Sequence, residues 1–283
     1  MDSKSHAAAL PGLFERLGLV GLSSIEAPVL ASLATRSPLL LIGAHGSGKS
    51  LLLERIAVSL GFAWRHYSAS LVNFDDLVGY PVPDGNNGLR FIQTPASIWG
   101  AQAVFIDEIS RARVDIQNRL FPIIHERKVQ GLPLPDLQHR WAAMNPPPDR
   151  DSDDPRGEYA GSVELDIALA DRFPFHLRVP EWQSFAESDQ ERLILSHGVD
   201  PDPSVGPELA RIVEAVRAQL PVVRAQWAPS IARYLRLLSG LLQQSDRVIS
   251  ARRAARLGAN ISAMSAVPPA FIPFQLPSWL RTA

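Results

Sequence analysis

The chain has 283 residues, with 28 Lys and Arg against 29 Asp and Glu, 46% hydrophobic residues, 24 Pro, 18 Gly and no Cys. That length supports one large domain or two of ordinary size around a real core, and the missing cysteine excludes a disulfide framework, a thiolate metal site and a cysteine nucleophile. A formal charge of -1 with 20% charged residues disfavours a surface built for nucleic acid, and no apolar run approaches the ~20 residues of a membrane-spanning helix.

In chain order, Met1 to Leu19 is broken by Pro11, Glu15 and Arg16 and lacks a secretory h-region, so the default expectation is a soluble, cytoplasmic protein. Pro38 to Gly43, Ala63 to Tyr67, Ala103 to Asp107, Arg140 to Asn145 and Phe175 to Val179 are short apolar runs that predict buried strands. Helix-patterned stretches separate several of them, Ser50 to Leu60 being the first. This alternation predicts an α/β core with a parallel five-stranded sheet over residues 1–180. Within it, the polar segment 74–92 predicts a helix followed by a hairpin, from the turn signals Asp84-Gly85 and Asn87-Gly88. Pro122 removes a donor from the helix after Asp107 and is expected to kink it. After Pro180 the pattern becomes helical, and Phe185 to His197, Glu208 to Leu220, Ser230 to Gln244 and Ile249 to Ala266 predict a small all-α domain over 181–266. Residues 267–283, with four prolines plus Phe271, Phe274 and Trp279, predict an extended tail packed on a surface or left for a partner.

The chemistry sits where strands end. Gly43-Ala44-His45-Gly46-Ser47-Gly48-Lys49-Ser50 matches G-x-x-x-x-G-K-[ST] between a strand and a helix. The glycines let backbone N–H groups turn inward around phosphate oxygens, Lys49 neutralises the β- and γ-phosphates, and the Ser50 hydroxyl can ligate Mg²⁺. His45 is read as a spectator in this loop. The run Ala103 to Asp107 places Asp107 and Glu108 at the carboxyl end of the sheet, where open α/β folds bind ligands. Asp107 there would hold the hydration shell of Mg²⁺, and Glu108 would orient the attacking water as general base. Asn145, ending the next strand, can position that water, although Asn before Pro146 is also a plain turn. Arg172, in Ala168-Leu169-Ala170-Asp171-Arg172-Phe173, has the planar donor geometry to stabilise a transferring phosphoryl group, with a surface ion pair as the competing reading.

Taken in order, GAHGSGKS, FIDE, AAMNP, LADRF and a helical segment resemble the AAA+ ATPases, specifically the MoxR and midasin-like branch of the helix-2-insert clade. The likeness runs from about Gly21 to Ala266 and includes Asp107 to Arg111, Gln117 to Leu120 and Glu126 to Val129. It implies that Gly43 to Ser50 is Walker A, Asp107 and Glu108 are Walker B, Asn145 is sensor 1 and segment 74–92 is the helix-2 insert. It also implies that Arg172 is an arginine finger serving a neighbouring subunit, and hence a homo-oligomeric ring, usually a hexamer, with residues 181–266 as a helical lid. One departure stands out: where the family has Ser-Pro-Arg or Ser-Thr-Arg, this chain has Ala228-Pro229-Ser230. Arg233, one helical turn further on, is the substitute candidate for sensor 2.

The resemblance implies ATP-driven remodelling or maturation of a protein client, with ATP and Mg²⁺ as cofactors and a von Willebrand factor A domain on a separate partner, since this chain has no D-x-S-x-S motif. ATP is preferred to GTP because no N-K-x-D motif occurs. The alternative is a DNA-directed motor or a defence-system switch, which needs a basic, aromatic-bearing surface that the sequence does not display. Arg247, Arg252, Arg253 and Arg256 crowd the last helix and read as a solvated or subunit-facing surface, or as a polyanion site. Segment 74–92 is the expected output element, with Tyr80 and Phe91 offering apolar contact to a client.

Overall fold

A computed structural model of the chain describes residues 12–85, 88–146, 165–196, 199–245 and 248–272. The amino-terminal part supplies two helices, α1 (Leu13–Arg16) and α2 (Glu26–Thr35), ahead of β1 (Leu39–Ile42). There follow α3 (Lys49–Ser59), β2 (Trp64–Ser68), α4 (Phe74–Val78), β3 (Tyr80–Pro83), β4 (Leu89–Ile92), β5 (Ala103–Asp107) and α5 (Val114–Glu126). A short ribbon of β6 (Lys128–Val129) and β7 (Leu132–Pro133) leads to β8 (His139–Met144), α6 (Ile167–Ala170) and β9 (Phe175–Arg178). Three helices close the described chain: α7 (Glu187–Ser196), α8 (Val205–Gln243) and α9 (Ala251–Ala266).

The main sheet has the order β2-β5-β8-β1-β9, with every pairing parallel. Its strands match the five expected apolar runs to within one residue at each end. Alternation within each strand splits the core in two. Leu39, Leu41, Phe105, Trp141 and Phe175 face α1, α2, α3 and the first half of α8. Leu40, Val104, Ile106, Ala142 and Met144 face α5 and α6, where Ile116, Leu120, Ile123 and Ile124 form one helical stripe. With both faces covered, β1 and β5 are apolar almost throughout, while the edge strands β2 and β9 carry Arg65, His66, His176 and Arg178. Buried Arg140 ties the base of this sandwich together: its guanidinium donates to the carbonyls of Ile124 (3.1 Å), Arg36 (3.0 Å) and Gln138 (2.6 Å). These include the otherwise orphaned carboxyl ends of α5 and α2.

Segment 74–92 holds a short helix and a two-stranded antiparallel hairpin. Tyr80 is exposed, but Phe91 is not the free aromatic expected of it: it packs on the second core and lies 6.4 Å from the Trp99 ring. Trp99 in turn donates its indole N–H to the Val78 carbonyl at 2.7 Å. Asn86 and Asn87 lie outside the described residues. Pro122 sits inside α5 without ending it.

The carboxy-terminal helices differ from expectation. Glu208 to Leu220 and Ser230 to Gln244 are one helix, α8, which runs through Pro221 and Pro229. Each proline removes a single backbone donor, and the helix continues past both; its second half lies beside α9, with Ile231 and Leu235 of α8 and Gly258 of α9 lining one open cavity between them. The buried residues of the first half, Val205, Leu209, Ile212, Val213, Val216 and Leu220, join the same cluster as α1 to α3. Of the tail, Val267 is buried and Phe271 and Ile272 pack against that cluster; residues 273–283 and Arg247 lie outside the described residues. Among the described residues no helix is long and apolar enough to cross a membrane.

Candidate functional site

The neighbours β1 and β8 send their connections in opposite directions, β1 through α3 to the sheet edge at β2 and β8 through α6 to β9 at the other edge. A crevice opens at the carboxyl ends of such a pair. The loop after β1 fills it. Its start is fixed by the Gly43 N–H, which donates to the Met144 carbonyl of β8 at 3.2 Å. Gly46 and Gly48 then take positive φ of 74° and 83°, a conformation that turns successive N–H groups into a concavity and that side chains resist. Gly48 is the N-cap of α3, so the positive end of that helix faces the same crevice.

Lys49 is only 8% exposed, and its ammonium donates to the carbonyls of Gly43 and Ala44, both at 2.8 Å, and to Asn145 Oδ1 at 3.5 Å. Burial lowers its pKa, while the charges of Asp107 and Glu108 act the other way. Ser50 Oγ donates to Asp107 Oδ2 at 3.0 Å, and the Glu108 N–H donates to Asp107 Oδ1 at 2.9 Å. Burial alone would raise the Asp107 carboxyl; hydrogen bonds from His66, Ser50 and the Glu108 backbone outweigh it and hold the group below its ordinary value, ionised. Glu108 leaves β5 in a left-handed conformation (φ 53°, ψ 40°), strain of ~1–2 kcal/mol of the kind that collects at functional sites. Asn145, 5% exposed, completes the floor. The cleft so formed, about 380 Å³, is lined by the loop from His45 to Leu51 together with Asp107, Glu108, Met144 and Asn145.

These donors fit a nucleoside triphosphate with Mg²⁺. A buried ammonium and a helix amino terminus answer the phosphates, and the ionised Asp107 and the Ser50 hydroxyl are oxygen ligands of the kind Mg²⁺ takes. Ser47 Oγ is buried beside the loop with no hydrogen-bond partner among the described residues, a polar atom left for a ligand to satisfy.

Two neighbours of the site were not anticipated as functional. His66 Nε2 lies 3.6 Å from Asp107 Oδ2, its ring stacked on Phe105 at 4.5 Å. Only sheet register brings it there, Ser68 of β2 pairing with Asp107 of β5 and His66 with Phe105. Arg111 Nη1 donates to Glu108 Oε1 at 3.0 Å, and its signal was the three-residue spacing after the second acid. His45 approaches Glu108 Oε1 at 4.0 Å from the exposed side of the loop.

Two further candidates do not line this cleft. Arg172 is outside the cleft, its guanidinium 4.4 Å over the Phe121 ring and donating to the Ala168 carbonyl. Arg233 is exposed on the far half of α8 and makes no hydrogen bond or ion pair among the described residues. It is 13 residues beyond Leu220, the last buried position of that helix, or ~20 Å along the axis. Arg233 is not among the residues that line the cleft.

Comparison with known proteins agrees with this geometry. Residues 38–152 match the family of AAA domains described as the dynein-related subfamily. Among solved structures, a crystal structure of a candidate ATPase from Cytophaga hutchinsonii superposes with a TM-score of 0.58, covering 92% of this chain and 82% of that one at 16% identity. At that identity the likeness speaks for the fold. No curated protein matches the chain.

Proposed function

We propose that the chain, whose residues 38–152 match the AAA domains of the dynein-related subfamily, is a Mg²⁺-dependent ATP hydrolase of the MoxR-like kind. The observation that carries the reading is the convergence of Lys49, Ser50, Asp107, Glu108 and Asn145 in one cleft at the carboxyl ends of β1, β5 and β8. In this reading the loop from Gly43 to Gly48 and the amino terminus of α3 seat the phosphates. Lys49 exchanges its loop carbonyls for the β- and γ-phosphate oxygens. Ser50 and Asp107 would hold Mg²⁺, which would supply neutralisation of the charge that develops on the phosphate oxygens.

Glu108 takes a proton from water as the water oxygen bonds to the γ-phosphorus and the bond from that phosphorus to the β,γ-bridging oxygen breaks, releasing ADP and phosphate. Arg111 holds the carboxylate of Glu108 in place through the 3.0 Å contact, and Asn145 orients the water. Arg172, outside the cleft of its own subunit, serves the nucleotide of a neighbour in a homo-oligomeric ring, a hexamer by family habit. Work leaves through a protein client, with a separate partner bearing a von Willebrand factor A domain, and exposed Tyr80 on the insert is the contact this reading favours.

Glu108→Gln tests the core of this reading. The variant should bind ATP as the wild type does, measured with a fluorescent ATP analogue, and release phosphate ~10²–10⁴-fold more slowly, whereas Lys49→Ala should lose binding. Equal turnover of wild type and Glu108→Gln would remove Glu108 from the base role.

A further inference from the structure

Arg172 lies in a segment that the carboxy-terminal helix α9 holds from outside. Arg252 Nη1 sits 3.7 Å from Asp171 Oδ2, Arg256 Nη1 donates to the Asp171 carbonyl, and Asn260 Nδ2 donates to the Pro174 carbonyl at 2.6 Å. Residues 252, 256 and 260 are spaced by four, so they form one stripe of α9, and that stripe runs alongside the chain from Asp171 to Pro174. Two of the three contacts are to backbone carbonyls. They therefore fix the path of the main chain that carries Arg172 and not merely a neighbouring side chain.

Arg172 itself has no carboxylate partner among the described residues. Its local supports are the Phe121 ring and the Ala168 carbonyl, and its Nε is buried without a partner. The placement of its guanidinium thus follows the backbone at 171–174. Arg256 also reaches His125 Nδ1 on α5 at 3.4 Å, so the same side chain bridges α9, the Asp171 carbonyl and the helix that bears Phe121. Between loop and helix remains a cavity of about 200 Å³, lined among others by Asp171, Phe173, His176 and Arg256. The two are joined by point contacts across open space, and α9 is packed mainly on α8 and α2.

We propose that Arg252, Arg256 and Asn260 are positioning residues for Arg172, through which the position of α9 in one subunit sets the rate of hydrolysis at the nucleotide of the next. The inference rests on the reading that Arg172 acts in trans. It adds a route by which movement of the carboxy-terminal helices reaches a neighbouring site: α9 shifts, the 171–174 backbone follows, and Arg172 leaves or regains its productive place.

The experiment uses the full chain. Arg256→Ala and, separately, Asn260→Ala should lower kcat by ~10–10²-fold, the loss expected when a group is misplaced by about an ångström, with KM for ATP unchanged. Arg256→Lys, which retains a donor for the Asp171 carbonyl, should recover part of the rate. Co-expression with Lys49→Ala chains, which have a dead pocket but an intact Arg172 and an intact stripe, should restore turnover, because some interfaces then pair an intact pocket with a correctly held arginine. Arg172→Ala is carried through the same mixing. If Arg172→Ala is rescued by Lys49→Ala chains and neither stripe variant is, the stripe acts within its own subunit and the proposal fails alone. If Arg172→Ala is not rescued, the trans reading fails and the proposal with it. Asn260→Ala, which removes a single neutral hydrogen bond, keeps the test open if Arg256→Ala does not fold.

Discussion

Glu26 is an uncompensated acid in the first core. It begins α2, is 4% exposed, and accepts the Phe14 N–H on Oε1 at 3.0 Å. Burial pushes its pKa up, hydrogen bonds from the backbone of Phe14 and Leu13 oppose that only in part, and the carboxyl is raised from its ordinary 4.5 to about 7. The sign follows from which state binds the proton. Below the ordinary value both states are neutral and ionisation costs nothing. As pH rises toward the folded value, the unfolded chain gives up a proton that the folded chain keeps, so stability falls; above it the penalty is constant. At ~1.4 kcal/mol per pH unit the full penalty is about 3 kcal/mol. Glu26→Gln retains an acceptor for Phe14 and removes the titration. Its amide N–H groups need partners of their own, at a cost of ~1–3 kcal/mol that does not depend on pH, so the informative quantity is a difference between conditions. Urea unfolding of both proteins at about pH 5.5 and about pH 8.5 should show the variant gaining roughly 2 kcal/mol on the wild type between the two. A stability gap that is the same at both pH values would refute the argument that Glu26 is neutral in the fold near pH 6.

Arg140→Leu should destabilise the protein by ~3 kcal/mol or more, because the carbonyls of Ile124, Arg36 and Gln138 lose a charged donor together. Thermal unfolding followed by circular dichroism measures it, and a loss under ~1 kcal/mol would mean those carbonyls find other donors. Pro229→Ala, at an exposed position inside the continuous helix α8, should stabilise by up to ~3 kcal/mol, the helix-interior cost of proline; a destabilised variant would argue for a break between two helices at that point.

β1 and β5 were the most legible strands because a parallel sheet covered on both faces writes its inner strands as apolar runs, and the phosphate cradle because its parts are contiguous, Gly43 to Ser50 needing no distant residue to form the loop. Asp107, Glu108 and Asn145 could be placed by the rule that ligands bind where strands end, and the structure brings them to Lys49 as that rule implies. Other features belong to pairs of segments whose meeting no local pattern records. His66 stands beside Asp107 only because Ser68 is in register with it across β2 and β5, and a slip of one residue would turn it to the other face. Glu26 and Arg140 are ionisable residues in a core, and each is tolerated because it meets backbone groups, amides in one case and carbonyls in the other, that have no signature of their own in a sequence. Proline was expected to end a helix at 221 and 229, as its missing donor and fixed φ suggest. It does not: α8 continues through both positions, each proline removing only one backbone donor. The same fusion leaves Arg233 ~20 Å beyond Leu220. Local chemistry thus decided which groups can bind a phosphate, while long-range packing, whose energy is shared among many weak contacts, decided which of the candidates arrive there.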